Sequence, residues 1–344
     1  MILRPDFLKK NDKIGMVAPS FGCTFTPYLE RLNSAIQSLI KEGYKIYLGN
    51  NVYKAEGIAA SNSPEKRAKE LMDMWKSDVK LIMSVGGGET MGEILPYIDF
   101  DYIKENPKWF LGYSDNTNLI YPLTTITDME AIYGVHAPQF HTRPFKYDVL
   151  DTINMLKGKL SFNGYKSFEY HEYKALPEGE EPKKIDPFEP RHLNKRTKVD
   201  ARGYIKPIKG RLIGGCLDCL QTLCGTKFDH TKEYIYRHKD EGIIFFLEAC
   251  DLSSIGVRRA LVQLKNAGWF SNVSMIITGR SYHLNDKSFG LPIAEAYFNT
   301  LKDLNIPVLV NCPFGHIGPT MPIRSGALAK VSYINNNIKI EYEE

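Results

Sequence analysis

Nowhere in these 344 residues do 18 consecutive apolar residues occur, so the sequence offers no membrane-spanning helix. The apolar run 14–18 is too short and too late for a secretory signal, and a soluble cytoplasmic protein is the expectation. Cysteine is sparse. Six residues, without a secretory signal, read as reduced thiols rather than as a disulfide framework. Charge of one sign is also scarce: 44 Lys and Arg against 40 Asp and Glu leave +4, and no long basic block occurs. That balance argues against a nucleic-acid polymer as partner and leaves a small anionic ligand open. Both common phosphate-loop fingerprints, G-x-G-x-x-G and G-x-x-x-x-G-K-[ST], are missing, so a nucleotide-dependent oxidoreductase has no sequence support. Internal repeats are absent too.

What is present is an ordinary globular composition, 43% hydrophobic and 24% charged, in a chain long enough for about two domains. Over 13–135, short apolar runs alternate with amphipathic stretches, which predicts strand–helix units and a mainly parallel sheet. Strands are expected at 13–19, 44–48, 81–85 and 108–112. Helices are expected at 28–42, where Leu29, Leu32, Ala35, Ile36, Leu39 and Ile40 share a face, after the Ser63–Pro64 cap, and at 116–123. From 164 to 209 the periodicity fails in a stretch rich in Pro, Glu and Lys, read as a surface excursion and domain boundary. Domains are therefore expected at 1–163 and 203–344, with 164–202 as linker. In the second, strands are predicted at 243–247, 275–278 and 308–310, helices at 217–223, 254–267 and 292–301, and a β-hairpin around Asn335 to Asn337.

The most informative stretch is KWFLGYSDNTNLIYPL, in which an apolar strand runs through Gly112 and Tyr113 into Ser114 and then into a helix. This is the context of a nucleophile elbow, where a sharp turn projects the Ser hydroxyl and the next N–H, that of Asp115, faces a developing oxyanion. The second Gly of G-x-S-x-G is replaced by Asn116, and Ser114 with Asp115 could equally be a helix cap. VGGGET, also at a strand end, offers Gly87 and Gly88 as a second oxyanion donor or simply as a tight turn. A serine nucleophile needs a base and an orienting acid. His316, in a Gly/Pro-rich loop, and Glu248, closing the apolar run GIIFFLE, are candidates, each alone also readable as structural. Cys216, Cys219 and Cys224, spaced C-x2-C-x4-C with no second C-x2-C pair, read as a buried helix face rather than as a metal site.

Taken together, VAPS, VGGGET, GYSDNT, GGCLDCLQTLCGT, FFLEACD and GHIGPTMPI stand in an order and spacing that resemble the L,D-carboxypeptidase family of serine peptidases, one branch of which contains the microcin C self-immunity peptidases. The resemblance spans nearly the whole chain. It implies an α/β fold: an N-terminal, mainly parallel flavodoxin- or Rossmann-like domain, and a β-rich α/β C-terminal domain, with the active site at their interface. It further implies a Ser114–Glu248–His316 triad, an oxyanion hole from the N–H groups of Asp115 and the Gly87–Gly88 turn, a homodimer, and no metal or organic cofactor. The substrate would be a small peptide or a peptidyl or aminoacyl nucleotide, cut next to a free carboxylate, for which Arg324, Arg280 and Arg258 are candidate partners. A non-catalytic carboxylate- or nucleotide-binding protein on the same scaffold is the alternative. Two departures stand out: Cys216 where the family commonly has Asn, and Arg324 where Gly is frequent. The excursion and the form GYSD resemble the immunity branch. None of Trp75, Trp109 and Trp269 lies in the excursion, so base stacking there would fall to Phe168, Tyr170, Tyr173 or Phe188.

Overall fold

The computed structural model describes residues 2–164, 191–192, 205–281, 283, 287–334 and 337–344. They form two compact units, Met1–Lys159 with Pro322–Gly326, and Leu160–Met321 with Ala327–Glu344. Among the described residues no helix is long and apolar enough to cross a membrane.

Unit 1 is built on a six-stranded sheet of β1 (Lys13–Val17), β2 (Lys45–Leu48), β3 (Leu81–Ser84), β4 (Trp109–Gly112), β5 (Ala131–Tyr133) and β12 (Ile323–Ser325), in the order β12-β5-β4-β3-β1-β2. All neighbours run parallel except β12, which pairs antiparallel with β5. Every residue of β3, β4 and β5 is buried, as expected of parallel strands whose short apolar runs are covered on both faces. Around the sheet lie α1 (Tyr28–Lys41), α2 (Pro64–Lys76), α3 (Phe100–Glu105), α4 (Thr117–Thr127) and α5 (Tyr147–Leu156). α1 buries Leu32, Ala35 and Leu39, the i, i+3, i+7 stripe of the sequence. Pro64 starts α2 as expected, but the Ser63 side chain makes no capping bond.

Unit 2 carries an eight-stranded sheet in the order β6-β14-β13-β8-β9-β10-β11-β7. Its strands are β6 (Ser161–Asn163), β7 (Arg191–His192), β8 (Ile205–Cys216), β9 (Ile243–Glu248), β10 (Val273–Gly279), β11 (Val308–Cys312), β13 (Leu328–Ile334) and β14 (Asn337–Tyr342). β8 to β11 are mutually parallel; the rest are antiparallel. The expected hairpin is present as the β13–β14 pair. α6 (Leu217–Leu223), α7 (Thr231–Arg237), α8 (Ser254–Asn266) and α9 (Ile293–Leu301) complete the unit.

Two features differ from the sequence expectation. The unit boundary falls before β6, because Ser161 to Asn163 find their ladder partners on β14, and unit 1 recovers Pro322–Gly326 because β12 completes its sheet. Within the 164–209 excursion, residues 191–192 form a strand against β11 and β8 already starts at Ile205. Phe168, Tyr170, Tyr173 and Phe188 lie outside the described residues.

Candidate active site

In unit 1, β4 delivers the chain to Ser114 and a short 3-10 turn, Ser114–Asn116, leads into α4. Ser114 has φ +61°, a left-handed conformation that costs a residue with a Cβ on the order of 1–3 kcal/mol. Its N–H donates to the Tyr133 hydroxyl at 3.2 Å. The glycine turn passes directly beside it: a Cβ placed on Gly87 would lie 3.1 Å from both Cβ and Oγ of Ser114. Gly88 has φ +148°, and a Cβ there would fall 2.1 Å from Ser20 Oγ, so this turn requires glycine.

The elbow is tied down by its neighbours. The buried Asp115 carboxylate accepts from Ser20 Oγ at 2.5 Å, the Met91 N–H at 2.9 Å and Asn118 Nδ2 at 2.8 Å. Burial nevertheless raises its pKa, these hydrogen bonds opposing the rise. Asn116 Nδ2 donates to the Gly86 carbonyl at 3.0 Å and the Tyr113 carbonyl at 3.1 Å, and lies 3.0 Å from His136 Nε2. The residue standing where a glycine was expected is therefore the link between elbow and glycine turn. Arg67, fully buried, donates to the Pro19 and Thr90 carbonyls at 3.0 and 3.1 Å and pairs with Glu93 at 2.7 Å, fixing the end of β1 to the exit of the same turn.

In unit 2, Glu248 is the last residue of β9 and is inaccessible to solvent. His316 Nδ1 lies 2.8 Å from Glu248 Oε2. The loop reaches this close because Gly315 has φ +99°, and a Cβ there would sit 3.0 Å from Glu248 Oε2. Burial opposes a charge on His316, yet the Glu248 carboxylate and a hydrogen bond with Cys250 outweigh it and hold the imidazole pKa well above its ordinary value. Register places Cys216, at the end of β8, opposite Glu248. A hydrogen bond with Cys219, burial and the nearby Glu248 charge push the Cys216 thiol well above its usual range. All six cysteines are among the described residues, and none is in a disulfide.

These two constellations carry the residues that the motif order singles out. Residues 14–134 match the LD-carboxypeptidase N-terminal domain and residues 209–331 the LD-carboxypeptidase C-terminal domain. The chain belongs to the LD-carboxypeptidase family. Among the members similar to it are the microcin C7 self-immunity protein MccF of Escherichia coli, 28% identical over 97% of this chain and 94% of that one, and a probable murein peptide carboxypeptidase of Bacillus subtilis, 26% identical over 98% and 94%. A putative carboxypeptidase of Vibrio cholerae is 26% identical over 97% and 96%. The fold is shared with an MccF-like protein from Bacillus anthracis (TM-score 0.80, 24% identity, 99% and 100% coverage). It is shared too with a muramoyltetrapeptide carboxypeptidase from Oxalobacter formigenes (TM-score 0.70, 20% identity, 96% and 99% coverage).

Of the three arginines that are candidates for a substrate carboxylate, two are buried and one is exposed. Arg324, in β12, is fully buried, with Nε 2.8 Å from Glu130 Oε2 and the guanidinium 5.9 Å from the Phe7 ring centre. Arg280, just beyond β10 and equally buried, donates through one nitrogen to the carbonyls of Ile317, Gly318 and Pro319 at 3.3, 3.5 and 3.4 Å. Both guanidinium groups are buried, and Arg280 braces the loop that carries His316. Arg258 is exposed on α8. Tyr133, Arg67 and Cys250 escape the sequence reading, as do the bracing roles of Asn116 and Arg280. Only Asn116, inside the GYSDNT motif, carried a local signal.

Proposed function

We propose that this LD-carboxypeptidase family member is a serine peptidase that cleaves an amide bond next to a free carboxylate, with Ser114 as nucleophile, His316 as general base and Glu248 as its orienting acid. The observation that carries the reading is Ser114 itself, a non-glycine residue at φ +61° on a strand-to-helix elbow with the Gly87 turn against its hydroxyl. Strain of this kind persists where the surroundings over-determine it, and it clusters at reacting side chains. The 2.8 Å bond between His316 and Glu248 supports the other half.

In this mechanism Ser114 Oγ attacks the carbonyl carbon while His316 takes the hydroxyl proton and then delivers it to the leaving amine. Glu248 holds the ring and stabilises its cationic form. The N–H groups of Asp115 and of the Gly87–Gly88 turn would meet the tetrahedral oxyanion, and losing one such donor in other hydrolases costs roughly 100- to 1000-fold in rate. We further propose that the protein acts as a cytoplasmic homodimer, for which light scattering should return twice the 39.2 kDa chain mass. No step needs a metal or organic cofactor.

Two substrate classes are separable. Related structures include MccF bound to glutamyl sulfamoyl guanosine and to aspartyl sulfamoyl adenosine, which favours an aminoacyl nucleotide, while the B. subtilis relative is named for murein peptides. The deciding experiment offers a murein tetrapeptide ending in D-Ala and glutamyl sulfamoyl adenosine, in parallel, to wild type and Ser114→Ala, with cleavage followed by mass spectrometry. Ser114-dependent loss of D-Ala makes the protein a murein L,D-carboxypeptidase; Ser114-dependent cleavage of the adenylate analogue alone makes it an immunity-type peptidase. Tight binding of either with no turnover would favour a non-catalytic binding protein instead.

A further inference from the structure

We propose that Cys216, Glu248 and His316 form a binding site for a thiophilic divalent cation of the zinc class, and that occupancy takes the His316–Glu248 pair out of service. The binding half stands on unit 2 alone; the inhibitory half rests on the function proposed above.

A thiol sulfur, a carboxylate oxygen and an imidazole nitrogen from these residues lie within 4.8 Å of one another. The fold creates the grouping in two steps. Parallel pairing of β8 with β9 sets Cys216 opposite Glu248, and the loop after β11 folds His316 back onto the same carboxylate. Sequence spacing alone could not show it, because Cys216 meets Glu248 through strand pairing and His316 through a distant loop, not through the C-x2-C-x4-C spacing. Cys216 and Glu248 are closed off from solvent and His316 is largely so.

The chemistry of the donors selects the cation. Sulfur with imidazole nitrogen suits zinc, whereas magnesium and calcium prefer oxygen ligands throughout. With bonds of about 2.3 Å to sulfur and about 2.0–2.2 Å to nitrogen and oxygen, tetrahedral zinc ligands stand roughly 3.2–3.7 Å apart. The present spread is thus closed by side-chain shifts on the order of 1 Å. Thiolate plus carboxylate supply two negative charges against the cation's two positive ones, so the buried site is neutral when filled. Cys216 ligates as thiolate, its proton leaving to solvent, and three protein ligands leave a fourth position for water or an incoming anion. A cation held by both His316 and Glu248 competes with the hydrogen bond that joins them, and an imidazole whose nitrogen is committed to a metal no longer shuttles a proton.

The test titrates chelator-stripped full-length protein with Co2+ as a spectroscopic stand-in. A thiolate-to-cobalt charge-transfer band saturating at one equivalent is expected, displaced by Zn2+, lost in Cys216→Ser and kept in Cys224→Ser. No band in the wild type, a band that survives in Cys216→Ser, or one lost in Cys250→Ser instead overturns the proposal. Because Cys216→Ser could misfold, X-ray absorption on the wild-type zinc complex supplies a variant-free readout: one sulfur and two or more nitrogen or oxygen ligands support the site, and a shell without sulfur refutes it. With either substrate above, equimolar Zn2+ should suppress turnover at least tenfold and a chelator should restore it. A cobalt band without any hydrolysis to suppress would retain the site and refute the peptidase reading; full turnover with zinc bound would refute the inhibition.

Discussion

The two units hold their candidate residues by opposite means. Unit 1 stores backbone strain: Ser114 sits at φ +61° between a strand and a helix, and Asp115, Asn116 and Arg67 brace the turns around it. Unit 2 stores charge: Glu248 ends a regular strand, and its buried carboxylate meets His316 at 2.8 Å. Strain fixes where an atom points at any pH. A buried ion pair fixes an orientation and a protonation state together, and only the second is open to adjustment by solvent.

The largest effect is expected from Ser114→Ala. On the proposed mechanism turnover should fall by roughly 10^6-fold, as in serine hydrolases stripped of their nucleophile, with the melting temperature unchanged. Retained cleavage in the mass-spectrometric assay would remove Ser114 from the mechanism. Glu248→Gln should cost about 10^4-fold and also move the pH profile. His316 has a raised pKa in the folded protein, so it is cationic below that value and cannot accept a proton, and wild-type kcat/KM should climb only as pH rises through a region well above the ordinary histidine pKa of about 6.5. Without the Glu248 charge the residual activity should climb at lower pH. The ion pair's contribution to stability has the opposite sense: it is fully present below about pH 6.5 and is lost as pH rises through the raised value. An acidic limb that stays put in Glu248→Gln would show that something else sets the profile.

Unit 1 has its own buried ion pair, which sharpens the contrast because it lies in the sheet rather than at the elbow. Glu130→Ala leaves Arg324 buried without its counter-charge and should cost about 3–5 kcal/mol in denaturant unfolding. A loss under 1 kcal/mol would mean that the guanidinium finds other acceptors. The smallest effect is expected from Ser114→Gly, which removes the side chain and with it the strain. Stability should rise by up to about 1 kcal/mol, and a fall would mean that Ser114 is held by contacts rather than constrained against its preference.

Much of this was legible in the chain. The alternation of apolar runs and amphipathic stretches locates β1, β3, β4, α1 and α2 within a few residues, because parallel strands buried on both faces must be written in such runs, and it also locates β2, whose Tyr47 and Leu48 stay exposed. The elbow was legible from strand, glycine and serine in succession. β12 was not: Ile323–Ser325 is three residues long with an arginine at its centre, and it becomes a strand only because β5 offers a free edge. Arg67 sits among Lys and Glu in α2, where charge reads as solvent face, and only the fold turns it inward. That Arg280 braces the loop carrying His316 is not legible either, because a bracing arginine and an anion-binding one carry the same letter.

The return of β12 has a bearing on how this protein can be divided. The matched C-terminal domain, 209–331, contains Pro322–Gly326, which fold into unit 1. Expression of residues 1–159 alone would therefore yield not a smaller protein but an unfinished one, with the outer edge of β5 bare and Glu130 buried without Arg324. Anyone wishing to purify the serine-bearing half by itself would have to splice the five-residue segment back onto it.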